Sequence, residues 1–192
     1  MLPGLDTPGY LSLIMGPMYS GKTSYLLDLY KKYRLCNIST IAINYYGDTR
    51  YTDDCKISTH DLKTIPCVHS KENLHDLDMR EIENHKVILI NEGQFFKDIV
   101  EWVKILVEEK KKIVFICGLD GDYKREKFGN WLDLIPLSDE LVKLSALCMT
   151  CKNQSAQFTH RITNETDQKV IGSDAYIPCC RKCYIDNITN KK

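Results

Sequence analysis

The run Gly16-Pro17-Met18-Tyr19-Ser20-Gly21-Lys22-Thr23 fits G-x-x-x-x-G-K-[ST], the loop whose backbone N–H groups wrap nucleotide phosphates. Gly16 and Gly21 permit backbone angles and close approaches that a side chain would block, and a helix N-terminus behind them favours an anion. Lys22 is expected at the β- and γ-phosphates, and the Thr23 hydroxyl as the direct ligand of Mg²⁺, whose other contacts come from water and phosphate. The competing reading is a glycine-rich turn with an exposed lysine. The flanks oppose it: Leu11 to Met15 is a short apolar run suited to a buried parallel strand, and Ser24 to Arg34 carries Leu26, Tyr30 and Tyr33 at helical spacing.

Four cysteines form the second chemical constellation. Cys148/Cys151 and Cys180/Cys183 are C-x-x-C pairs with 28 residues between them, a pattern that gives tetrahedral Cys₄ zinc and makes the intervening chain an excursion pinned at its base. Unrelated buried thiols are the alternative. Cys179 competes with Cys180 as a ligand, but only Cys180 keeps two residues before Cys183, so Cys179 is read as a bystander.

Acid–base chemistry is expected at the end of Lys86–Ile90, where the chain passes to Asn91 and Glu92. In phosphate-loop enzymes an acidic residue here assists Mg²⁺ and a carboxylate handles the nucleophile. Glu92 can serve as general base toward an acceptor hydroxyl. Asn91 is neutral and can at best orient a metal-bound water, and a plain Asn-Glu-Gly turn is the alternative for both. Asp48, Thr49, Arg50 and Tyr51 follow another strand at the edge where open α/β sheets bind ligands, although a solvated loop reads the same way. Gly121 to Gly129 mixes cations with Tyr123 and Phe128, which suits base stacking and phosphate contact or, equally, an exposed turn.

The elements that must position these residues are strands over 11–15, 39–45, 86–90 and 112–120 and helices over 24–34 and 99–110. Their alternation predicts an α/β fold with a mainly parallel sheet. Cys117 in the last strand is read as a small core residue. Trp131 to Leu137 and Leu141 to Leu147 are further apolar segments, the second expected as the last sheet strand. Residues 55–85 are polar and partly helical, and His60, His69, His75 and His85 lack partners at ligand spacing and are read as surface residues. The expected division is a nucleotide-binding domain over 1–147 and a zinc-binding domain over 148–192. Lys plus Arg equals Asp plus Glu at 26 each, so the basic surplus of a dedicated nucleic-acid binder is missing and a small substrate is favoured. No leader-like or membrane-length apolar run is found, so a soluble cytoplasmic chain is expected, with its nine cysteines serving as metal ligands or buried thiols and its sequons at Asn37, Asn153, Asn164 and Asn187 bare.

Assembled, these residues resemble the thymidine kinases of the cytosolic, zinc-containing type from about Leu11 to Tyr184. The signatures are the loop at 16–23, Asp-Thr-Arg-Tyr at 48–51, Thr-His-Asp at 59–61, Glu-Gly-Gln-Phe-Phe at 92–96, Leu-Asp-Gly at 119–121 and the two cysteine pairs. The resemblance implies a RecA-like P-loop domain with a small C-terminal zinc-ribbon or lasso domain, and transfer of the ATP γ-phosphoryl group to the 5′-hydroxyl of thymidine. It also implies a homotetramer and inhibition by dTTP. Glu92 matches the catalytic base, and Arg50 an arginine near the reacting phosphate. Met18, Phe95, Leu119, Tyr123 and Phe128 match the pocket around the base, and Val170, Ile171, Gly172, Ser173 and Tyr176 the lasso that reads its edge. Asn91 stands where the family has aspartate, Tyr123 replaces a usual phenylalanine, and the lasso is one residue shorter. A zinc-ribbon ATPase acting on nucleic acid and a binding-only relative of the kinases are the alternatives, the first disfavoured by the balanced charge.

Overall fold

The computed structural model describes residues 3–47, 56–59, 61–170, 172 and 174–189. Along the chain, β1 (Tyr10–Met15) leads to α1 (Lys22–Leu35), β2 (Thr40–Tyr45), a hairpin of β3 (Lys56–Ser58) and β4 (Thr64–Pro66), β5 (Val68–Ser70), α2 (Met79–Glu83) and β6 (Val87–Ile90). Next come α3 (Ile99–Lys104), continued by a π turn over Ile105–Glu109, then β7 (Ile113–Gly118) and β8 (Glu140–Lys143). Two small hairpins complete the chain, β9 (Ala146–Leu147) with β10 (Ser155–Ala156) and β11 (Phe158–Arg161) with β12 (Tyr176–Cys179), followed by α4 (Arg181–Thr189).

The six-stranded sheet runs β5-β2-β6-β7-β1-β8, and every pairing in it is parallel. The cause lies in composition: β2, β6 and β7 are buried at every position, as strands covered on both faces must be. One face packs Trp102, Val103 and Leu106 of the α3 segment with Trp131 and Leu134, and the other packs Leu26, Leu27, Leu29 and Tyr33 of α1. Because all six strands point one way, the segments after β1, β2, β6 and β7 emerge at one edge. That edge therefore collects the residues singled out above.

Three local differences from the sequence expectation have physical causes. The segment over 55–85 hides three strands of three residues each, too short to carry a period, and β5 extends the sheet beside β2. The stretch over 141–147 is two elements. Edge strand β8 stops at Lys143, and Ala146 pairs with Ala156 while the Cys148 N–H donates to the Gln154 carbonyl at 2.9 Å, which draws the chain away toward the cysteines. Finally, the helix over 99–110 widens into its π turn at Ile105, and Trp131–Leu137 is a 3₁₀ segment with Pro136 inside it.

Trp102 is 1% exposed beneath the sheet. Trp102→Ala is expected to lower stability by about 3–5 kcal/mol, measured as a fall in denaturant midpoint with little change in slope.

Candidate active site and metal centre

The loop between β1 and α1 bends as its glycines allow: Gly21 has φ 83° and Gly16 φ 156°, and a Cβ on Gly16 would lie 2.6 Å from the Leu144 carbonyl oxygen. The Lys22 ammonium is buried and donates to the Pro17 carbonyl at 2.7 Å. Ser20 Oγ is buried without a hydrogen-bond partner among the described residues, in a loop whose helix N-terminus already favours an anion. Such a hydroxyl fits phosphate. The Met18 N–H donates to Thr159 Oγ1 at 3.0 Å, so the C-terminal part of the chain caps this loop directly.

Met18 to Thr23 line a cavity of about 430 Å³ that also contains Glu92, Gln94, Phe95, Leu119, Tyr123, Phe128, Val170, Gly172 and Tyr176. Gly16 and Pro17 are not among its lining residues. The volume falls in the ordinary range for small-molecule sites. Phe95 meets Phe128 edge-on at 5.4 Å and Tyr45 at 4.7 Å, giving one flank of the cavity an aromatic wall. Glu92 is buried in a left-handed conformation, φ 56°, and its Oε2 accepts from Gln94 Nε2 at 2.6 Å. Asn91 lies beside it but is not a lining residue: its Nδ2 donates to Asn44 Oδ1 at 2.9 Å, and its Oδ1 accepts from the Cys117 thiol at 3.0 Å. Asp61 also lines the cavity, its carboxyl held down to about 2 by hydrogen bonds from Lys63 and Thr59. Arg50 and its neighbours 48–51, His60, Ile171 and Ser173 lie outside the described residues.

Several residues that hold this site together carry no sequence motif. Arg161 is 2% exposed and stacks 3.8 Å from the Tyr123 ring centre. Its guanidinium donates to the carbonyls of Glu165, Asp167 and Gln168 and to the Tyr176 hydroxyl. One side chain thus folds the loop after β11 back over the cavity. The Tyr123 hydroxyl, the feature that departs from phenylalanine, donates to the Thr166 carbonyl at 2.9 Å and reinforces the same loop. Lys169 crosses to the Tyr45 hydroxyl and sits 4.3 Å from the Tyr45 ring centre and 4.8 Å from that of Phe95. Only burial of a charged side chain distinguishes Arg161, and burial is not written in the sequence.

The sulfurs of Cys148, Cys151, Cys180 and Cys183 all lie within 4.8 Å of one another. A zinc ion with Zn–S of about 2.3 Å needs S···S edges of about 3.8 Å, so the four fit a tetrahedral site after small closure. The titration of Cys148 and Cys183 points the same way. Burial pushes the Cys148 thiol up, but N–H groups of Cys151, Cys180 and Thr150 outweigh it and bring the group down to about 6. Burial and the three neighbouring sulfurs push Cys183 up to about 12, so four thiolates need a cation to coexist. Cys179 stands apart from the cluster, its sulfur 3.5 Å from Thr150 Oγ1 and 3.7 Å from Asn187 Nδ2.

The family model described as thymidine kinase matches residues 9–184. The thymidine kinases of variola virus (isolate Human/India/Ind3/1967), vaccinia virus (strain Western Reserve) and monkeypox virus are each 41% identical to the chain over 180 residues. Each alignment covers 93% of this chain and 98% of the relative.

Elemental analysis of purified protein is expected to find one zinc per chain in the parent and in Cys179→Ser, and none in Cys148→Ser or Cys180→Ser. Zinc kept by Cys180→Ser and lost by Cys179→Ser would reverse the ligand assignment.

Proposed function

The chain belongs to the thymidine kinase family of phosphotransferases, and on that premise we propose that it transfers the γ-phosphoryl group of ATP to the 5′-hydroxyl of thymidine. One observation carries the reading: the phosphate loop, a buried carboxylate and an aromatic wall share a single cavity. Phe95, Phe128, Tyr123 and Met18 take the base, with Leu119 beside them and the lasso residues Val170, Gly172 and Tyr176 closing from the other side; Ile171 and Ser173 are assigned there by kinship alone. Gly16 to Thr23 hold the triphosphate. Glu92 accepts the proton of the 5′-hydroxyl as its oxygen bonds to the γ-phosphorus, and the bond to the β–γ bridging oxygen breaks to release ADP. Lys22 stabilises the charge on the transferring group, and Arg50 is assigned to the same task.

Mg²⁺ bound with ATP supplies charge neutralisation at the phosphates. Thr23 would hold it; Asn91, assigned to a metal-bound water from its place in the sequence, does not line the cavity and has its amide engaged by Asn44 and Cys117. Zinc at the four cysteines is structural, and 148–192 forms a separate lasso domain beside the nucleotide-binding domain over 1–147. Inhibition by dTTP follows from the same cavity, because that one molecule carries both the base for the aromatic wall and phosphates for the loop. Exposed Ile135 and Leu137 in the 3₁₀ segment before β8 and exposed Leu141 on edge strand β8 itself support burial against further copies, here a homotetramer. The place of action is the cytoplasm, without nucleic-acid or membrane partners. Among the described residues no helix is long and apolar enough to cross a membrane.

Glu92→Gln is expected to keep nucleoside binding and to lower turnover by about 10²- to 10⁴-fold, the worth of a positioned base. Lys22→Ala should also lose turnover, through the missing contact to the transferring phosphoryl group. Chromatography of thymidine monophosphate formed from ATP measures both. ATP hydrolysis stimulated by DNA or RNA with no nucleoside present would instead favour the nucleic-acid ATPase.

A further inference from the structure

Glu92 cannot orient its own carboxylate: the terminal torsion of a glutamate is broad and nearly two-fold, so packing of the stem leaves the plane of the oxygens undefined. The direction must come from a hydrogen bond. Gln94 provides one, its Nε2 donating to Glu92 Oε2 at 2.6 Å, while its own Oε1 accepts from the Leu119 N–H at 3.0 Å. The amide is 4% exposed, and its seat is made for it. A Cβ on Gly118 would lie 2.6 Å from Gln94 Oε1 and 3.0 Å from the Trp131 ring, so only glycine lets the amide lie against the end of β7. The Leu119 backbone is then held through both of its polar groups, its N–H by Gln94 and its carbonyl by Trp131 Nε1 at 3.0 Å. Glu92 also holds φ 56°, a backbone state that a residue with a side chain keeps only where its surroundings impose it.

We propose that Gln94 is a positioning residue: it sets the rotation of the Glu92 carboxylate and ties that rotation to Leu119, a wall of the nucleoside cavity. The inference rests on Glu92 being the base. Gln94 acts on turnover through Glu92, and the nucleoside that presses on Leu119 presses on the alignment of the base by way of one amide.

A double-mutant cycle in kcat tests this with the full-length, zinc-containing protein, comparing the parent, Gln94→Met, Glu92→Gln and the double variant. Thymidine KM, equilibrium thymidine binding and zinc content are read alongside. Gln94→Met is expected to lower kcat by about 10- to 100-fold, the scale of a misplaced catalytic group, with KM, binding and zinc little changed. In the Glu92→Gln background the same change should cost no more than about twofold, because the group it positions is already gone. Equal losses in both backgrounds, or a change in KM alone, overturn the proposal while leaving Glu92 as the base. Parent-like turnover by Glu92→Gln removes the base reading itself, and the proposal with it. Gln94→Glu guards against a folding failure of the methionine variant: it keeps an acceptor for Leu119 but sets a second carboxyl against Glu92 Oε2, where the two share one proton and the base is held protonated to higher pH. It should lower kcat at neutral pH and move the acidic limb of the kcat–pH profile upward, and a parent-like profile would overturn the proposal.

Discussion

Four sulfurs within 4.8 Å of one another are the constraint on which the C-terminal quarter of the structure depends. The apolar cluster around them consists of Cys148, Ala156, Cys180 and Cys183 with Ala146 packed alongside, far too little buried surface to offset the entropy of ordering the chain between the two cysteine pairs. A structural Cys₄ zinc contributes about 10 kcal/mol or more of apparent binding free energy, enough to decide whether such an excursion forms. Once the base is pinned, β11 and β12 can pair and Arg161 can gather the carbonyls of the loop between them.

The sheet and the excursion divide the work. Parallel strands deliver the phosphate loop, Glu92 and Leu119 to one edge by direction alone, and their buried apolar sequences keep that edge rigid. The excursion supplies the wall that faces the aromatic side chains. They meet through hydrogen bonds, with Thr159 on the Met18 N–H, Gln168 on Asp122 at 2.8 Å, the Tyr184 hydroxyl on the Tyr123 carbonyl and the Tyr123 hydroxyl on Thr166, through Arg161, Lys169 and Arg125 stacked on aromatic rings, and through an apolar cluster of Met18, Ala175 and Tyr176.

What was legible in the sequence follows from how local each signal is. The phosphate loop announces itself because backbone geometry fixes residue types at set intervals; β6 and β7 do so because strands covered on both faces are continuous apolar runs, and β1 and β2 because they are mostly apolar or β-branched around Ser12, Thr40 and Asn44. The cysteine pairs are legible for the same reason, since tetrahedral ligation demands short regular spacing within each pair. Strands β3 to β5 are too short to show a period, and Leu141 to Leu147 hides the point where the chain leaves the sheet for the cysteines. Arg161, Gln94 and Lys169 were invisible as site residues because their importance lies in contacts with distant segments. Gln94 was legible only as the middle of the Glu-Gly-Gln-Phe-Phe signature at 92–96, which gives it no role, and for Asn91 nothing local announces the amide of Asn44 that engages it.

Hydrogen–deuterium exchange on zinc-loaded and chelator-stripped protein tests the role of the clasp most directly. Removing zinc is expected to strip protection from the amides of β11 and β12, while β1, β6 and β7 keep theirs. Undiminished protection of β11 and β12 in the metal-free protein would contradict it.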